Sequence, residues 1–373
     1  MVELENPRLE QLPDGRVRIT LVYDAPEAAS VSVTGGLKGL DPARASLVRD
    51  GNGVWRQTWE APANLRTVYW FAHDDALDDW EQWHRDPLNP RTYVYPADPE
   101  VPDDRELVGS LLELPAAAPY GWSERRDGVR EGTTQMHRLA SPLLRNERRV
   151  FVYIPPGYDP RRAHPLLVVF DGFAYTTLVP LPTVLDNLIA AGRIPPLVAV
   201  MPDSLDSETR MRELCFHEPF VDFVVDELLP WARERWNVTD RPADTVLAGS
   251  SLGGLTSAFA AVRRPDAIGN VLSMSGSFGR EPPEEEPPWL PRHIAGRERL
   301  PLRWYLDAGI LETIMPPGDV VRPSLLHANR HLRDVLRAKG YEVHYQEFPG
   351  GHEYLWWRET IADGLVALLG ETR

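Results

Sequence analysis

Two serines stand side by side in LAGSSLGGL (247–255), between an apolar run and a stretch compatible with a helix. Gly249-Ser250-Ser251-Leu252-Gly253 fits G-x-S-x-G with Ser251 at its centre; a frame centred on Ser250 fails, because Ala248 and Leu252 would then flank it. With a strand before it and a helix after it, such a serine is lifted out at the C-terminal edge of a sheet, where it can attack a carbonyl. The hydroxyl needs a base. Among ten histidines, His327 and His331 fall on a helical pattern and His137 and His164 in polar connections, while His352 follows the last strand in PGGHEY. That position suits the base in the chain order serine, acid, histidine. The acid should follow the strand LRWYLDAG (302–309), which offers Asp307, Glu312 and Asp319. Asp307 lies within the strand and Glu312 three residues past Gly309, so Glu312 is favoured. A carboxylate there would fix the imidazole tautomer and stabilise the imidazolium.

The oxyanion formed on attack needs two donors. The backbone N–H of Leu252 should be one, and Gly172 or Phe173 of FDGFAY (170–175) the other. Arg210 and Arg212, in MPDSLDSETRMREL (201–214), stand after a strand at the same sheet edge. Their forks could hold a substrate anion bidentately, or could pair with Asp203 or Glu208. Cys215 reads as packing, and no His/Cys spacing suggests a metal, so neither metal nor cofactor is expected.

The elements that must position these groups change character along the chain. RVRITLVYD (16–24), SVSVTG (30–35), VWRQTWEA (54–61) and TVYWFAHD (67–74) alternate or are rich in β-branched and aromatic residues, as in a small β-sandwich. The Pro- and Ala-rich stretch 96–121 reads as a linker or a surface strap, which places a first domain at 1–121. From 122 to 373, apolar strands alternate with helical stretches such as 219–236 and 324–340. That is the pattern of an α/β fold with a mostly parallel sheet covered on both faces. The acidic, Pro-rich loop REPPEEEPP (280–288) lies where a lid could.

A formal net charge of −15 argues against nucleic acid and anionic membrane surfaces as partners. Lysine occurs only at Lys38 and Lys339, so an anion site would be built from arginine. One cysteine, no signal-peptide pattern and no apolar run of membrane-spanning length suggest a soluble, cytoplasmic protein. Oligomeric state is not legible.

DPLNP (86–90) and LLELP (111–115), followed by PTVLDNLIAAGRIPPLVAV, RMREL, ELLPW, AGSSLGGL, MSGSF and GGHEYLWWR, occur in an order that resembles the enterochelin (ferric enterobactin) esterase family over nearly the whole chain. The resemblance implies an α/β-hydrolase preceded by an immunoglobulin-like early-set β-sandwich, and a serine hydrolase that opens the triserine trilactone of catecholate siderophores to release iron. It puts that family's nucleophile on Ser251 and its histidine on His352, with Glu312 similar to its acid by position and Arg210 to its arginine. Two other readings stand beside it. One is an esterase of the same architecture for feruloyl, acetyl or other small acyl esters, with Trp55, Trp70, Trp80 or Trp83 as stacking platforms. The other is a binding protein that keeps the fold without turnover.

Overall fold

The computed structural model describes residues 6–74, 80–102, 104–315 and 321–370. The chain divides into two compact units. The first comprises Met1–Pro119 together with two later segments, Gly309–Ile314 and Glu347–Trp356; the second comprises Tyr120–Ala308, Met315–Gln346 and Trp357–Arg373.

In the first unit, Arg16–Tyr23 pairs antiparallel with Arg8–Gln11 and with Trp55–Pro62, which also pairs with Val48–Arg49. A second antiparallel sheet runs Val31–Gly35, Arg66–His73, Leu107–Glu113, Thr92–Tyr95. Ile19, Leu21 and Trp59 of one sheet and Val31, Val33, Tyr69, Phe71 and Leu112 of the other share one buried core, as a sandwich requires. The supposed linker 96–121 therefore contains a sandwich strand, Leu107–Glu113. The prolines that suggested a linker flank this strand and do not interrupt it. Of the tryptophans read as possible platforms, Trp55 and Trp70 are buried at 7% and 4% exposure, whereas Trp80 is 43% exposed and Trp83 is partly buried.

The eight-stranded sheet runs Thr133–Ser141, Asn146–Ile154, Val198–Pro202, Leu166–Val169, Thr245–Ser250, Asn270–Met274, Arg303–Gly309, Glu342–Phe348. Its first three strands pair antiparallel; the pairings from Val198–Pro202 through to Arg303–Gly309 are parallel. Strands such as Leu166–Val169 and Asn270–Met274 are buried at every residue, which is why they read as unbroken apolar runs. His137 lies within the strand Thr133–Ser141, where its ring meets the edges of Trp231 and Trp236, and not in a polar connection. Among the described residues no helix is long and apolar enough to cross a membrane.

Candidate active site

Thr245–Ser250 is a wholly buried central strand, and Leu252–Arg263 is the helix that follows it. Ser251 sits alone between them at φ 58°, ψ −117°, a conformation L-residues avoid. This is the strained strand-to-helix turn that the G-x-S-x-G motif requires. Two glycines make the turn possible by close approach. A Cβ on Gly249 would lie 2.7 Å from the Gly253 carbonyl carbon, and one on Gly254 would lie 2.3 Å from Ser273 Oγ. The two serines are not equivalent. Ser250 is fully buried and its hydroxyl has no partner among the described residues, while Ser251 lines a cavity of about 380 Å³ and its Oγ lies 3.3 Å from Ser277 Oγ. Ser277 also donates its N–H to the Ser251 carbonyl. The sequence contains this second hydroxyl in MSGSF, but no spacing rule ties it to Ser251.

As first residues of their helices, Leu252 and Gly172 have N–H groups without intrahelical acceptors, the condition for oxyanion donors. Phe173 differs from expectation: its N–H donates to Asp203 Oδ1 at 3.0 Å and is already committed. Asp171, just before Gly172, is held in the left-handed region at φ 63°.

Arg210 is what holds Asp171. Its Nε and Nη2 donate to the two carboxylate oxygens at 2.7 and 2.8 Å, a bidentate pair that neither anion binding nor the anticipated Asp203 and Glu208 pairings foresaw. Asp203 pairs with Arg149, and Glu213 is buried against Arg148 at 2.9 Å. Arg212 is half exposed, and among the described residues it makes a long contact of 3.4 Å to Thr209 Oγ1 and a 4.0 Å approach to Glu213. Arg210 is thus a clamp on the loop bearing Gly172. Arg210→Ala should leave the nearly buried Asp171 without its counter-ion and cost about 2 kcal/mol, discounted for the partial exposure of Arg210. Hydrolysis of anionic and neutral esters should fall together; a loss confined to anionic esters would return Arg210 to substrate binding.

The histidine and the acid belong to the first unit. His352 Nδ1 is 3.0 Å from Glu312 Oε1, and the Glu312 side chain is wholly buried. With Nδ1 committed to the carboxylate, Nε2 is the ring nitrogen suited to exchange a proton with a serine. Glu312 lies in a short segment fastened to the sandwich. Leu311 joins the sandwich core, and Thr313 Oγ1 donates to the Gly39 carbonyl at 2.6 Å. Asp307, the other described candidate, is a structural group: it lies within the strand Arg303–Gly309 and accepts the Ser275 N–H at 3.0 Å. Asp319 lies outside the described residues.

A residue that the sequence reading passed over, Glu353, fixes the histidine loop. Its Oε1 accepts from Thr67 Oγ1 at 2.6 Å and from the Val68 N–H at 2.9 Å, and a Cβ on Gly36 would strike that oxygen at 2.4 Å. Burial, aided by the nearby charge of Glu312, pushes the Glu353 carboxyl up to about 7 against the pull of those hydrogen bonds. Between pH 4.5 and 7 the folded chain keeps a proton that the unfolded chain has released, so this group lowers stability as pH rises through that window. Glu353→Gln, which cannot ionise, should gain on the wild type by about 3 kcal/mol between pH 4.5 and 8. Denaturant unfolding at the two pH values checks this, and identical pH slopes would refute it.

Comparison with known proteins places this geometry. Residues 141–368 match the family described as putative esterase. An iron(III) enterobactin esterase of Dickeya dadantii is 33% identical over 99% of this chain and 91% of its own length. The chain belongs to the enterobactin esterase family. It is a carboxylic-ester hydrolase with the α/β-hydrolase type of fold that the family carries. The Shigella flexneri enterobactin esterase, crystallised in the presence of enterobactin, aligns over 97% of this chain and 95% of its own at 28% identity and a TM-score of 0.74. The ferric enterobactin esterase of Salmonella typhimurium aligns over 97% and 96% at 26% identity and a TM-score of 0.77.

Proposed function

We propose that this enterobactin-esterase relative hydrolyses the ester bonds of a catecholate siderophore of the enterobactin type, so that its iron can be released. The match to an iron(III) enterobactin esterase over 99% of the chain carries this reading, since it takes in the sandwich as well as the hydrolase part. Ser251 is assigned as nucleophile, His352 as base and Glu312 as the acid behind it. Ser251 Oγ bonds to the ester carbonyl carbon while His352 takes its proton, and the amides of Leu252 and Gly172 receive the oxyanion. Collapse expels the seryl hydroxyl of the substrate, protonated by His352, and leaves an acyl-enzyme. Water, deprotonated by His352, then releases the acid and restores Ser251.

Residues 1–121 act in this reading as an early-set sandwich domain and 122–373 as the esterase domain. The reaction is assigned to the cytoplasm, where the lone Cys215 would stay reduced. Chromatography after incubation with ferric enterobactin, beside a panel of feruloyl and acetyl esters, tests the substrate. Linear seryl products are expected from the siderophore. An intact trilactone beside a consumed feruloyl ester would transfer the chain to the small-ester class.

A further inference from the structure

The cavity beside Ser251 is lined by Ser277, Gly279, Arg280, Arg322, Pro323 and Leu325, so both of its charged walls are arginine. The two differ in one respect. Arg322 is neutralised, its Nε lying 3.0 Å from Glu281 Oε2 and its Nη2 closing a second bond to the same carboxylate. Arg280 pairs with no carboxylate among the described residues; the neighbour its guanidinium meets is the Cys215 thiol. Its backbone is pinned at both ends, with N–H donating to the Ser277 carbonyl and the carbonyl accepting from Trp289.

A guanidinium cannot shed its charge at any working pH, and a partly buried one without a counter-ion is costly. In a chain of net charge −15, acidic groups are plentiful, and Arg148, Arg149, Arg210 and Arg322 each pair with one. Leaving Arg280 without one among the described residues, on the wall of the cavity that holds the nucleophile, preserves a fork for something that arrives. We infer that Arg280 is a specificity residue that receives an anionic oxygen pair of the substrate, carboxylate or metal-bound catecholate, close to the scissile ester. The same residue answers how so acidic a protein could admit an anionic substrate: long-range repulsion is offset at short range, in a cavity where screening is weak. The inference rests on the esterase reading above and adds the charge of the ester's surroundings to it.

The test compares 4-nitrophenyl hemisuccinate with 4-nitrophenyl butyrate, which share the leaving group and differ in a terminal carboxylate. In Arg280→Ala the ratio of kcat/KM for the anionic over the neutral ester should fall about 30-fold, the loss of one bidentate charge-assisted contact. Arg280→Lys, which keeps the charge without the fork, should fall between. Fluorophosphonate labelling of Ser251 in each variant reports an intact nucleophile, and turnover of ferric enterobactin by the wild type and by both variants is measured in the same series. Ratios over butyrate that are unchanged in both labelled variants, for hemisuccinate and for ferric enterobactin alike, overturn the anion site, even if ferric enterobactin is hydrolysed. A fallen ratio with no turnover of ferric enterobactin upholds the anion site and overturns the siderophore reading. A fallen ratio for ferric enterobactin over butyrate, with none for hemisuccinate, assigns the site to catecholate oxygens.

Discussion

Ser251→Ala should lower kcat on any activated ester by about 10⁵-fold or more, to the level that binding and the oxyanion donors alone sustain. The fold should survive. The Ser251 hydroxyl has one hydrogen-bond partner among the described residues, Ser277 Oγ at 3.3 Å. The backbone strain at φ 58° is kept by alanine, whereas Ser251→Gly should relieve it and raise stability by about 1 kcal/mol while being equally inactive. A protein that is more stable when its serine is removed is one that spends stability on a reactive geometry. Ser250→Ala is the control: its buried hydroxyl has no partner among the described residues, so its loss should cost neither stability nor fluorophosphonate labelling. Intact-mass detection of the label decides the matter, and an adduct that persists in Ser251→Ala would move the nucleophile elsewhere.

The turn at Ser251 was legible because its signal is local. Five residues, a preceding apolar run and a following helix define the turn, and each is dictated by steric rules acting over a few ångströms. The parallel sheet was legible for a similar reason, since strands buried on both faces cannot hide their composition. What the sequence concealed depends on contacts distant along the chain. The strand Leu107–Glu113 was masked by prolines that flank it. The pairing of Arg210 with Asp171 spans 39 positions, and several nearer carboxylates competed for it on paper. Glu353 had no motif at all, because its role is to accept hydrogen bonds from Thr67 and Val68, more than 280 positions away. Nor does chain order disclose that Gly309–Ile314 and Glu347–Trp356 fold as part of the same unit as the sandwich. An acid and a histidine that follow two hydrolase strands read as parts of the hydrolase. In the folded chain, Leu311 is a residue of the sandwich core and the Trp356 indole donates to the Arg66 carbonyl at 2.8 Å.

Glu312→Gln should reduce kcat by about 10³-fold with little change in KM, the second-largest effect expected at this site. The side chain is wholly buried, so its charge acts on His352 with little solvent screening, and the amide keeps the shape while removing the charge that stabilises the imidazolium. The amide can also turn its NH₂ toward Nδ1 and impose the wrong tautomer, which moves the loss further in the same direction. Fluorophosphonate labelling should slow in parallel with turnover, because both need the same proton transfer. A second readout belongs to the same substitution. The Glu312 charge helps hold the Glu353 carboxyl up, so the neutral glutamine should bring that carboxyl below about 7 and shift the fall in stability toward lower pH. A variant with slow turnover but an unshifted stability profile would mean that Glu312 acts on His352 without sensing Glu353. A kcat within tenfold of wild type would remove Glu312 from the acid role. Asp307→Asn would then be the next substitution to measure, although Asp307 is already occupied by the Ser275 N–H and would have to surrender that bond to reach a histidine.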